Sequence, residues 1–173
     1  MAEQLSSRSI AKYYRCLVKG KIAGQQTIDG WLVKDKESNR VRISSSKLPD
    51  GRYIKTAYTP LAYYSKAVLE GKKSCLKEVK QQDISGEMRV FTLLKVHLIT
   101  GRSHQIRAHL ASVGHPIVGD FKYGDKRVND WFLRHFQIKY QMLQAYCMKF
   151  TDGREFEAPL AQEFQRVLEG IRN

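Results

Sequence analysis

Residues 12–19, KYYRCLVK, put Tyr14, Cys16 and Val18 on one side of an extended segment and Tyr13, Arg15 and Leu17 on the other, the two-residue period of a β-strand. The pair Asp29-Gly30 reads as a turn ahead of Trp31-Leu32-Val33, residues 34–40 as a loop, and Val41-Arg42-Ile43 as the next short strand. Residues 55–69 are rich in Tyr and in β-branched or small side chains, and Pro60 excludes a helix, so a strand running toward Cys75 is expected. In residues 90–100, Val90, Thr92, Leu94, Val96 and Leu98 alternate with Phe91, Leu93, Lys95, His97 and Ile99. Both faces are largely apolar, which predicts a central, well-buried strand.

After Gly101 the period changes. Ile106, Leu110 and Val113 recur at helical spacing, Ser103 is placed to cap the start, and Gly114 with Pro116 to end it. A second helical pattern covers residues 128–136. Asp152-Gly153 then joins a strand over residues 145–150 to one over residues 155–158, and Pro159 opens a last helix. In that helix Leu160, Phe164, Val167, Leu168 and Ile171 form an apolar stripe, read as core packing rather than a partner-binding face. Many short strands with a few helices and no internal repeat predict one α+β domain over residues 1–173 with a mixed, mostly antiparallel sheet.

Charge narrows the function classes. Thirty Lys and Arg against seventeen Asp and Glu leave a net +13 and a pI near 9.8. That balance points to a polyanionic partner, and nucleic acid fits best because Lys and Arg on phosphates release condensed counterions. The competing reading is a cationic surface that binds nothing. Cys16, Cys75 and Cys147 form no CxxC pair, so no disulfide framework or zinc knuckle is expected. No apolar run approaches the ~20 residues of a membrane span, and MAEQLSSRSIAKYY has no signal-peptide core. A reducing cytoplasm is the expected compartment.

Residues 98–124, LITGRSHQIRAHLASVGHPIVGDFKYG, set Arg102, His104, Gln105, Arg107 and His109 beside a buried strand. Arg107 lies one position from Ile106 and three from Leu110, so its side chain should border the buried face, where a guanidinium calls for an anion. The candidates are a carboxylate from elsewhere in the domain or an RNA phosphate; the alternative is a surface arginine lying over apolar neighbours. Arg102 and the N–H groups opening the helix make a candidate phosphate site. His104 and His109 stand five apart, not the four of a helical zinc pair, so no metal is expected. Ser103 beside His104 lacks the GxSxG elbow of a hydrolase.

At these residues the chain resembles the RluA-type RNA pseudouridine synthases, in which TGR, HQIR and G-H-P-I-x-G-D recur as in TGRSHQIRAHLASVGHPIVGD here. The resemblance extends to Lys12-Tyr13-Tyr14, matching a K-x-Y strand, to Lys55-Thr56-Ala57-Tyr58-Thr59 and to residues 143–159, nearly the whole chain. It implies isomerisation of uridine to pseudouridine in structured ribosomal or transfer RNA, without a cofactor, on a base flipped into the pocket. It implies further that Tyr14 packs against the target uracil and that Arg107 pairs with the catalytic carboxylate. Lys12, Arg102, His104 and Gln105 are carried over as RNA-binding.

The family's aspartate stands in H-R-L-D-x-x-T-S-G, some tens of residues before the tyrosine, whereas thirteen residues precede Tyr14 here. Asp29, Asp35, Asp120 and Asp152 lie in no such motif, and Asp120 is assigned the job of holding its loop. The expectation is therefore the C-terminal part of a synthase catalytic domain, with Arg107 left unpaired or holding a bound anion. Two other readings stay open: a short protein that binds structured RNA without modifying it, and a DNA-binding module. The last lacks a helix-turn-helix, zinc-finger or basic-zipper pattern.

Overall fold

The computed structural model describes residues 10–35, 37, 39–65 and 90–172. Its elements in chain order are β1 (Ile10–Lys19), β2 (Gln26–Lys34), β3 (Val41–Ser44), β4 (Arg52–Tyr64), β5 (Phe91–Leu98), α1 (Gln105–Ser112), α2 (Lys126–Phe136), β6 (Leu143–Phe150), β7 (Glu155–Glu157) and α3 (Gln162–Gly170). The strands form one seven-stranded sheet in the order β3-β2-β4-β5-β1-β6-β7. An α+β domain is observed. Every pairing between the described strands is antiparallel, in keeping with the mostly antiparallel sheet expected.

β5 is central, between β4 and β1, as its two apolar faces require. On one face Leu94 and Val96 join Cys16, Val18, Tyr58 and Ile117 beneath Ile106 and Leu110 of α1. On the other, Phe91, Leu93 and Leu17 pack against Val128 and Phe132 of α2 and Phe164, Val167, Leu168 and Ile171 of α3. The stripe on α3 is core packing. Further along that face the row turns polar: Tyr13 stacks on His97 at 4.6 Å, and the Lys95 ammonium lies 4.9 Å from the Tyr13 ring centre.

Asp29 and Gly30 do not form a turn. They lie inside β2, opposite Lys55 and Ile54, and a Cβ at Gly30 would stand 2.9 Å from the Ser44 carbonyl oxygen. The glycine thus serves close approach to β3, and the hairpin turns after Lys34, where the Asp35 amide bonds the Arg40 carbonyl at 2.8 Å. Pro60 sits at a bulge in the β4–β5 ladder, which spares it a ladder hydrogen bond. The expected continuation of this strand past Ser65 toward Cys75 lies outside the described residues.

Ser103 does not cap α1. His104 occupies the N-cap in the left-handed region, φ 59°, without a side-chain cap bond. Val113, 39% exposed, falls at the C-cap rather than in the buried stripe, and Gly114 at φ 84° ends the helix as expected. No helix of the described residues is long and apolar enough to cross a membrane.

Candidate active site

β5 delivers its chain end to a turn pinned by one side chain. Gln105 is 1% exposed. Its Oε1 accepts from the Arg102 amide (3.2 Å) and the Thr100 hydroxyl (3.0 Å), while its Nε2 donates to the Lys55 carbonyl (3.1 Å) and the Thr56 hydroxyl (3.0 Å). The Thr56 hydroxyl continues the chain to His109 Nδ1 at 3.0 Å. Gln105 is therefore a pin between the turn, β4 and α1. Its amide is saturated and sealed from solvent, with no donor or acceptor left over for an RNA contact in this arrangement.

Two residues on, Arg107 meets a carboxylate of its own domain. Nε donates to Asp120 Oδ2 at 2.7 Å and Nη2 to Oδ1 at 2.8 Å, a two-bonded pair that matches the planar fork of arginine. The expected unpaired guanidinium or bound anion is thus corrected: Asp120 neutralises it. Asp120 also holds its loop, accepting from the Lys122 and Tyr123 amides at 2.9 and 3.0 Å. Asn129 braces the loop from α2, receiving the Gly119 amide and donating to the Asp120 carbonyl, both at 2.8 Å.

Tyr123 is the residue that pattern reading missed. The Arg107 guanidinium lies 5.2 Å from its ring centre, and its hydroxyl accepts the Val41 amide at 2.9 Å and bonds His104 Nδ1 at 3.0 Å. One phenol thereby ties α1, β3 and the Asp120 loop together. The signal available in the sequence was the YG that closes GDFKYG.

Tyr14 lies on the same sheet face as α1, packed against the cluster that contains Ile106 and Leu110. It sits in a cross-strand row with Ala145, Val96, Tyr58 and Gln26. The neighbouring row holds Met148, Lys12, Leu98, Thr56 and Ile28. Thr56, bonded to His109 of α1, is thus two strands across and one row along from Tyr14, about 12 Å by sheet spacings. The structure brings Tyr14, Lys12 and the arginine helix to one face, and no hydrogen bond joins Tyr14 to Arg107. Burial pushes the Tyr14 phenol up, so it stays protonated at neutral pH. Arg102 is exposed and His104 half-buried. Cys147, Glu155 and Glu157 of the β6–β7 hairpin bring ligand-type atoms within 4.8 Å of one another, but Glu155 already bonds Lys149 and Cys147.

The charged network has an acid limit. For Asp120, burial raises the carboxyl pKa, but the Arg107 bond and the Tyr123 and Lys122 amides outweigh it and hold it below 3.8. Asp125 is likewise held below 3.8, by Lys19 and the Val128 amide against burial. Burial lowers His109, and with nearby cations also His97 and His104, below 6.5. All these groups have folded pKa values below their unfolded ones, so their stability contribution is complete above 6.5. It declines in two stages as pH falls, histidines first and then carboxylates. Denaturation midpoints should fall monotonically on acidification; a midpoint that rises would contradict these shifts.

The family model described as RNA pseudouridylate synthase matches residues 1–112. An uncharacterized RNA pseudouridine synthase of Chloroflexus aurantiacus is 32% identical over 178 residues, covering 100% of this chain and 46% of that protein. The tRNA pseudouridine synthase C of Salmonella typhi is 30% identical over 152 residues, 87% of this chain and 53% of that one. Among solved structures, Human RNA Pseudouridylate Synthase Domain Containing 1 matches with a TM-score of 0.65 at 21% identity, covering 98% of this chain and 69% of that chain, a likeness of fold. The chain spans about half the length of the curated relatives it matches. The family match takes in both the Tyr14 strand and the helix that carries Arg107, and the chain belongs to the RNA pseudouridylate synthase family, RluA type.

Proposed function

We propose that this chain supplies the arginine and tyrosine side of an RNA pseudouridine synthase active site, acting on a flipped uridine of structured ribosomal or transfer RNA. The observation that carries this reading is the Arg107 guanidinium, bound by Asp120 along one edge and placed by α1 on the Tyr14 face of the sheet. In the isomerisation the N1 glycosidic bond breaks, the uracil turns, a bond forms from C5 to the ribose, the C5 proton leaves, and N1 takes up a proton. There is no net oxidation and no co-reactant. Tyr14 would pack its ring, with the hydroxyl protonated, against the uracil, Arg107 would face the carboxylate that works on the base, and Arg102, His104 and Lys12 would meet the surrounding RNA. A cytoplasmic location is part of this reading.

A second reading, a structured-RNA binder that modifies nothing, draws on the same pair: Arg107 is already neutralised within the chain. One experiment separates the two. The full-length gene product is incubated with structured RNAs, and both retention and pseudouridine content are measured. Conversion supports the synthase; retention without conversion on every RNA supports the binder. In either case the +13 charge predicts affinity that falls steeply as salt rises, and salt-independent binding would contradict both.

A further inference from the structure

We infer that Asp120 is a positioning residue for the isomerisation: it grips Arg107 by the Nε–Nη2 edge so that the Nη1 edge is presented to a second carboxylate on the reacting face. This rests on the synthase reading above. A guanidinium carries five N–H donors, and the two bonds to Asp120 engage two of them. Among the described residues Nη1 makes no hydrogen bond, and it is not among the buried atoms that lack a partner, so it retains contact with solvent. The free donors therefore sit together on one accessible edge of a side chain that is otherwise 16% exposed.

The grip is rigid because Asp120 cannot move. It is 1% exposed, both carboxylate oxygens are engaged, and its carbonyl accepts from the Gly124 amide at 2.7 Å and from Asn129. Tyr123 fixes the guanidinium from its face while its own hydroxyl is anchored to β3 and His104. Edge and face are thus set by two residues of one loop, leaving Nη1 as the remaining direction of approach. A buried ion pair is a weak device for stability, since well-packed apolar residues often do as well or better. Aiming a cation is what this arrangement does that an apolar pair cannot.

The test has two arms. In nitrogen-15 spectra of this chain, the Arg107 Nε–Hε signal should be resolved from those of the mobile arginines and should join them in Asp120→Asn. A wild-type Arg107 signal already averaged with the others would overturn the proposal, whether or not any RNA is converted. In the full-length gene product, Asp120→Asn should lower single-turnover conversion about a hundredfold, as misplacement of a reacting group by about 1 Å does, with RNA affinity nearly unchanged. In an Arg107→Ala background the same change should add no further loss, because Asp120 acts through Arg107. An equal loss in both backgrounds, or a loss of affinity alone, would show a merely structural residue. Failure of the wild-type protein to convert any RNA counts against the synthase reading, while the spectroscopic arm still decides the Asp120 grip.

Discussion

Arg107→Ala in the full-length gene product lowers pseudouridine formation by at least about a hundredfold to a thousandfold, the usual cost of removing one preorganised electrostatic group from a reacting site. The same change reaches the fold. It leaves the Asp120 carboxylate, with a side chain 0% exposed, supported by the Lys122 and Tyr123 amides but stripped of its cation. Breaking a buried pair by removing one partner typically costs about 3–5 kcal/mol, a large share of the about 5–15 kcal/mol that holds a domain together. The two effects part with pH. Asp120 can shed its charge by taking a proton, so the stability deficit of Arg107→Ala shrinks in acid. Activity and melting curves measured together at several pH values check both; near wild-type conversion would remove Arg107 from the site.

Gly119→Ala unfolds the loop that carries Asp120. Gly119 has φ 77°, and a Cβ there would lie 2.2 Å from the Tyr140 carbonyl oxygen and 2.7 Å from Ile138 Cγ2. Left-handed strain costs about 1–3 kcal/mol and forced overpacking a further 1–3 kcal/mol or so. Because the Gly119 amide also anchors Asn129, the damage is expected at the upper end, about 4 kcal/mol or more. For a chain of this size that is a fall in Tm of about 10 °C or more. Gly114 is the control: its φ is 84°, but a Cβ there meets nothing within 4 Å, so Gly114→Ala should show the strain alone. Equal melting shifts for the two variants would refute the packing argument.

Legibility in the sequence followed burial. β5 was readable because Leu94 and Val96 on one face and Phe91 and Leu93 on the other each meet a helix layer, and that packing leaves an uninterrupted apolar run. The Asp152-Gly153 hairpin was readable because turn chemistry is local, with Gly153 at φ 87°. The same cue misled at Asp29-Gly30, where the glycine answers a neighbouring strand rather than a turn. Ser103 failed as a cap because Gln105, a residue with no strong capping preference, folds back to take the Arg102 amide. That bond depends on Thr100 and β4, which no window of sequence reveals.

The site was legible in part for the same reason. Arg107 at the border of the α1 stripe announced a buried cation in need of an anion, and the structure supplies one. That the anion is Asp120, thirteen residues on and already assigned to its loop, required the chain to turn back through Gly119, a tertiary fact. Tyr123 was invisible as anything but an aromatic near a glycine, because each of its partners, Val41, His104 and Arg107, comes from a different element or turn.

If these residues serve a reaction at C5 of uridine, tritium placed at that position is released as the base is rejoined. Structured RNA carrying tritium at uridine C5 is incubated with the full-length gene product. Tritium is expected in water in proportion to the pseudouridine formed, at a rate that collapses in Arg107→Ala. RNA retained by the protein with its C5 tritium intact would contradict it and leave an RNA-binding domain in place of an isomerase.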